Sequence, residues 1–326
     1  MFTRTRTAAL VVTLLAATSI TCDLFTKHPT SRYQTTGNAL DLISRNDTLF
    51  VVQGDTGLLF LDISNPKSPR ELWWTCRGAG YYCQCLALGD SSVLVGTDDG
   101  AFGIELSGSG GFFTLHPQGD SQAVTALLED STRLYMASAD GISVFDVTRS
   151  WVPDAIGFIP LAGSPTGLAR HDSRLFVSLH DWGVRVFNIL PGDSLVLDTL
   201  QLGKHNRAEG VTVSAGGYCI ISQGDSGVAV YYSPTPDTIG LCGGGGGGSL
   251  STYATAATDG VQEVSIYVAD SSTVTIDKVI NKPGTSSFSV EMDFADFTGF
   301  TRRICRGGNG YVYTASGDAG VYIIRE

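Results

Sequence analysis

A glycine at position 57 is followed by the apolar run Leu58-Leu59-Phe60-Leu61 and then by Asp62, and this short pattern returns along the whole chain. The glycine recurs at Gly100, Gly141, Gly183 and Gly227, is replaced by Ser272, and recurs again at Gly320, at intervals of 43, 41, 42, 44, 45 and 48 residues. Four places after it stand Leu61, Ile104, Phe145, Phe187, Tyr231, Ile276 and Ile324, all apolar. The next column reads Asp62, Glu105, Asp146, Asn188, Tyr232, Asp277 and Arg325, mostly acidic or Asn. Six places before the turn stand Val51, Leu94, Tyr135, Val177, Ile221, Ile266 and Thr314. Columns that hold register over so many copies mark an internal repeat, with Ser272 as a degenerate turn.

A repeat of 41 to 48 residues made of strand-like runs is the signature of a β-propeller, in which each copy folds as one four-stranded sheet. The copies predict an inner strand near Leu40, then strands near Phe50, Phe60 and Trp73, and Asp-Gly turns between the second and third. Pro66 and Pro69, which lack amide donors, fit a connection where no ladder bond forms. Composition agrees: 40 Gly against 3 Met suits turns and short strands better than packed helices. The last copy stops at Ile324 without a fourth strand, while Ser31–Thr36 lies ahead of the first. The expected fold is therefore an all-β, seven-bladed propeller over residues 31–326, closed by an N-terminal strand that completes the last blade.

The run Leu58–Asp62 followed by Ile63-Ser64-Asn65-Pro66 resembles the LVIVD repeat, and Gly141–Val147 and Gly183–Ile189 resemble it more weakly. The resemblance implies a seven-bladed propeller in exported, often surface-anchored bacterial proteins, and no defined catalytic residues. The Trp-Asp and Gly-His signatures of WD40 repeats are missing.

The amino terminus reads as an export signal. Arg4 and Arg6 precede an apolar segment from Ala8 to Ala17, too short to span a bilayer comfortably. Residues 1–21 then resemble a lipoprotein signal ending before Cys22, which would carry the lipid; 22–30 would be a tether. Cleavage after Ser19 by an ordinary signal peptidase is the other route, giving a secreted or periplasmic protein. Both place the mature chain in the cell envelope or beyond it.

The formal charge is −11, and −13 once Arg4 and Arg6 are removed, with no basic cluster, which argues against nucleic acid as a partner. Among 7 cysteines, Cys76 and Cys83 flank a short glycine-containing loop and form the candidate disulfide. Cys83 and Cys85 read by alternation as two residues on one face of an inner strand. Cys83-Gln84-Cys85 does not complete a metal site. Gly243–Gly248 reads as a flexible loop and not as a phosphate loop, since the Lys-Ser/Thr and the strand-then-helix setting are missing.

Chemistry is expected on the face formed by the turns, around the channel mouth. Asp55, Asp99, Asp140, Asp181, Asp225, Asp270 and Asp318 fall there, and the preferred reading is that each serves its own turn. One copy departs from the pattern: His180-Asp181-Trp182 precedes its turn glycine, and Lys204-His205-Asn206-Arg207-Ala208-Glu209 follows nearby. Such a set could ligate a divalent metal or serve as acid and base; it could equally be solvated loop decoration. Rim positions inferred from the repeat are Asn38, Tyr81, Gln122, Ser164, Glu209, Tyr253 and Arg302. The candidate ligand-binding residues are thus His180, Asp181, Trp182, His205, Glu209, Asn38 and Arg302. The expected protein is a monomeric, non-catalytic module, without cofactor, that binds an envelope or extracellular protein or glycan and meets the membrane only through its lipid. The alternative is a metal-dependent hydrolase or lactonase-like enzyme with its site at the channel mouth.

Overall fold

The computed structural model describes residues 29–326 except 76–79, 107–110, 149–151, 191–194, 203–206, 225, 236–237, 246–253, 260–262, 270–273, 283–284 and 295–298. All of its regular structure is antiparallel strand, arranged as four-stranded sheets around a common axis. In the first sheet the strands run Asp41–Arg45, Thr48–Val52, Leu58–Asp62 and Arg70–Thr75, in that order from the axis outward. The inner strands of successive sheets are Asp41–Arg45, Cys83–Leu88, Val124–Glu129, Pro165–His171, Gly210–Val213, Ala254–Asp259 and Arg303–Arg306. Each packs against its neighbour, and the last packs against the first.

The expectation of a seven-bladed propeller closed by an N-terminal strand that completes the last blade needs correction. Six sheets are self-contained, each built from four consecutive strands. The remaining sheet is composite: Arg303–Arg306, Tyr311–Ala315 and Val321–Arg325 come from the carboxyl end, and the short Ser31–Tyr33 from the amino end lies on the outer edge of Val321–Arg325. That contact is three residues long, pairing Ser31 with Ile323 and Tyr33 with Val321. The segment leaves the ladder at Gln34 and folds over the turn below it. Gln34 Nε2 donates to the Asp318 carbonyl at 2.8 Å, and the Thr35 hydroxyl donates to the Gly37 carbonyl at 2.6 Å.

Local chemistry explains the repeat columns. The turn glycines Gly57, Gly100, Gly183, Gly227 and Gly320 have φ between 72° and 90°, where a Cβ would be strained. The acidic column caps the end of the third strand. Asp62 Oδ1 accepts from the Ser64 amide at 2.9 Å, and Asp146 Oδ1 accepts from the Thr148 amide at 2.8 Å and its hydroxyl at 2.6 Å. These bonds to Ser64 hold the Asp62 carboxyl below the usual carboxylate range.

The apolar columns fill the spaces between sheets. Leu49, Val51, Leu59 and Leu61 of the first sheet meet Tyr313, Ala315, Val321 and Ile323 of the composite one. Phe50 and Phe60, from the opposite face, pack edge to face at 5.1 Å and meet Val93, Val95 and Phe102 of the second sheet. A strand buried on both faces therefore carries a near-continuous apolar run, which is why Leu58–Leu61 does not alternate.

Two further expectations are corrected. Cys83 and Cys85 do not share a face. The inner strand of the second sheet bulges between them, Cys83 opposing Thr97 and Cys85 opposing Gly96. The extra residue sends Cys83 into the core shared with the first sheet and Cys85 into the core shared with the third. Gly243–Gly245, read from sequence as loop, belongs to the outer strand Thr238–Gly245, where Gly243 opposes Val230 and Gly245 opposes Val228. An outer strand needs only backbone groups to pair, so it tolerates glycine. The remainder of that run lies outside the described residues.

Candidate functional site

The face carrying the turns between second and third strands opens on a cavity of about 510 Å³ at the axis. Its wall is assembled from Leu40, Tyr82, Gln84, Thr125, Ser164–Thr166, His180, Asp181, Glu209, Phe300, Arg302 and Arg303. Among the described residues, every sheet but the sixth contributes.

The structure places five of the residues named from the sequence on this wall: Ser164, His180, Asp181, Glu209 and Arg302. Asn38 is exposed outside the wall, and Trp182 stands beside it, 45% exposed. His205, Cys22 and Cys76 lie outside the described residues; Cys83 is buried in its inner strand.

Gln84, Thr125 and Thr166 were missed, and a shared backbone feature explains them. The inner strands of the second, third and fourth sheets each bulge at that residue, between Cys83 and Cys85, between Val124 and Ala126, and between Pro165 and Gly167. The bulged residue drops out of the pairing, and all three side chains line the cavity. The available signal was a polar residue interrupting an apolar run at spacings of 41 and 41.

His180 is held between two carboxylates. Its Nδ1 lies 2.8 Å from Asp181 Oδ1 and its Nε2 lies 3.7 Å from Glu209 Oε1. Arg207 Nε closes on the same Glu209 oxygen. That oxygen is buried and is held by charge, without a well-aligned hydrogen bond. The fourth sheet thus supplies the imidazole and one carboxylate, and the fifth supplies the other carboxylate with its guanidinium.

On the other side of the mouth, Arg303 Nε pairs with Asp41 Oδ1 at 3.3 Å. Asp41 also accepts the amides of Leu42 and Leu86, each at 2.9 Å, so one carboxylate ties the composite, first and second sheets. Burial pushes the Asp41 carboxyl up, while Arg303 and the two amides pull it down. Its neighbour Arg302 is exposed, sits 6.0 Å from the centre of the Phe300 ring, and makes no ion pair among the described residues.

The expectation that each turn aspartate serves its own turn is not what the described contacts of Asp140 show: it, and Asp98 beside the second sheet's turn, reach across to the segment ahead of the inner strand of the same sheet. Asp98 Oδ1 accepts the Tyr82 amide at 2.9 Å, and Asp140 Oδ2 accepts the Ser121 amide at 2.5 Å. Among the described residues, no group of three or more His, Cys, Asp or Glu gathers at metal-binding distance.

No protein-family profile matches the chain, and no curated protein does, so the LVIVD likeness rests on the strand signature alone. Solved structures match it over nearly all its length. A chain of the mitotic checkpoint complex is 15% identical, with TM-score 0.73, covering 93% of each chain. The fold is a β-propeller. The WD40 repeats of RRP9 match at 14% identity and TM-score 0.68, covering 92% of this chain and 99% of theirs. A catalytically inactive virginiamycin B lyase from Staphylococcus aureus, solved with quinupristin, matches at 8% identity and TM-score 0.69, covering 91% of this chain and 98% of its own. At such identities the likeness is one of backbone. It spans interaction modules and an enzyme alike, so function has to be argued from the site.

Proposed function

We propose that this chain is a binding propeller displayed outside the cytoplasmic membrane, which holds a protein segment or glycan of the envelope at its channel mouth. The observation that carries the reading is the cavity itself. Side chains from nearly every sheet converge on it, and three inner strands give up a ladder position to send polar groups inward. Its volume of about 510 Å³ falls in the usual range for ligand sites, roughly 300–1,000 Å³. Display outside the membrane rests on the signal-like residues 1–21, with Cys22 as the lipid attachment point.

The test is capture from a solubilised envelope fraction and from a glycan library by immobilised residues 29–326. Thr125→Trp, which plugs the cavity from the bulged strand, is the comparison. The expected result is capture by the native chain and its loss in the plugged variant, with an unchanged melting curve. Equal capture by both would move the binding surface away from the mouth and overturn the reading. Intact mass of the native protein reports the anchor: a chain beginning at a diacylated Cys22 is expected.

A further inference from the structure

We infer that the mouth is a saccharide site with a carboxylate subsite at Arg302, so that its ligand is a short oligosaccharide bearing an acidic sugar; this rests on the binding role proposed above. Three independent features of the wall lead there.

The first is the distribution of charge. Of the arginines at the mouth, Arg303 is engaged by Asp41 and Arg207 by Glu209. Arg302 alone among these three has no charge partner among the described residues, and it is exposed and lines the cavity. Its backbone is fixed, since its amide donates to the Ala315 carbonyl at 2.8 Å, and its side chain is steadied over Phe300. A guanidinium that lines the cavity offers its N–H edge to a ligand. That edge matches a carboxylate with two parallel hydrogen bonds.

The second is the neutral polar lining. Gln84, Thr125, Ser164 and Thr166 stand on three adjacent sheets as an arc of neutral polar groups, and the apolar wall residues Leu40 and Phe300 lie on other sheets. A protein segment binding tightly needs an apolar anchor and a pocket to receive it. A saccharide needs an arc of hydroxyl and amide groups instead.

The third is a pair of propped rings. A Cβ on Gly163, whose φ is +108°, would lie 2.9 Å from Trp182 Cδ1, and one on Gly54, at φ +60°, would lie 2.9 Å from Tyr82 Cε2. Both rings rest on glycine backbone with no side chain between, and Gln201 Nε2 donates to the Trp182 carbonyl at 2.7 Å. A rigid ring at a rim, open on the side away from its prop, suits the C–H face of a sugar.

The overall charge of −11 sets a limit. A polyanion would be repelled by the rest of the surface, whereas a ligand with one or a few carboxylates pays little and gains Arg302.

The experiment uses residues 29–326 with a panel of uronate-containing and sialylated oligosaccharides, their carboxyl-reduced counterparts, and hexapeptides with free or amidated carboxyl ends. At least one acidic saccharide is expected to bind, and its reduced form to bind ~10-fold more weakly, the scale of one charge-assisted bond. Arg302→Gln should erase that difference while leaving affinity for the reduced form unchanged, and Trp182→Ala should weaken both forms. If acidic and reduced forms bind alike, the carboxylate subsite is wrong while mouth binding stands. If only free-carboxyl peptides bind, and Arg302→Gln abolishes it, the ligand class is wrong. If no saccharide binds yet Thr125→Trp still abolishes envelope capture, this inference fails and the broader binding role survives. Loss of mouth dependence in both experiments would remove the two together.

Discussion

Replacing Asp41 by Ala tests whether one buried carboxylate holds the ring where its ends meet. Asp41 is 7% exposed and spans three sheets through the amides of Leu42 and Leu86 and the guanidinium of Arg303. The truncation strands two backbone amides on residues that are themselves 4% and 6% exposed, each an unsatisfied donor costing about 1–3 kcal/mol. Arg303 keeps 31% side-chain exposure, so water compensates much of its loss. Removing the buried carboxylate also relieves its own desolvation, which burial shows by raising its pKa. The net expectation is a loss of about 2–4 kcal/mol. With a urea dependence of about 3 kcal/mol per molar for a chain of this size, the midpoint should fall by about 1 M. Asp41→Asn, which keeps an acceptor oxygen, should lose less. The sign of the pH effect is fixed by the raised pKa. The native stabilisation is fully present below the unfolded value of 3.8 and declines as pH rises through the folded one, so the gap to Asp41→Asn narrows toward neutrality. Hydrogen exchange at Leu86 should quicken in the Ala variant. An Asp41→Ala midpoint indistinguishable from the native one, with unchanged exchange at Leu86, would refute the idea that this network joins the sheets.

Two other outcomes are expected. Burial, with Asp90 and Asp130 nearby and Arg45 opposing, pushes the Glu129 carboxyl from 4.5 up to about 7, so its contribution is present below 4.5 and lost as pH rises through 7. Glu129→Gln should therefore melt with the native protein at acidic pH and above it at pH values over 7, read by calorimetry across the pH range. At Gly96 a Cβ would lie 2.5 Å from Cys85 Sγ and 2.8 Å from Val124 Cγ1, so Gly96→Ala should cost about 1–3 kcal/mol, with partial recovery on adding Val124→Ala, read by urea midpoints.

Much of the architecture was legible because its causes are local. A turn that needs positive φ selects glycine, a strand end that needs a cap selects Asp, and a strand buried on both faces selects an apolar run. Those needs return with each sheet, so they appear in the sequence as columns at 41 to 48 residues. At the mouth, His180 stood out because it breaks a column, while Asp181 and Glu209 fell on the repeat's own turn and rim positions.

What the sequence left open depends on pairing between distant strands. Whether Cys83 and Cys85 share a face turns on one bulge, and a bulge arises from how a strand fits its neighbour rather than from its own residues. The same shift sends Gln84, Thr125 and Thr166 to the axis. Asp41 meets Arg303 across 262 positions only because the ring brings its ends together. The repeat determined that this chain makes sheets around an axis. Only the tertiary structure decided which polar groups look inward, because a side chain's direction is set by the ladder it joins.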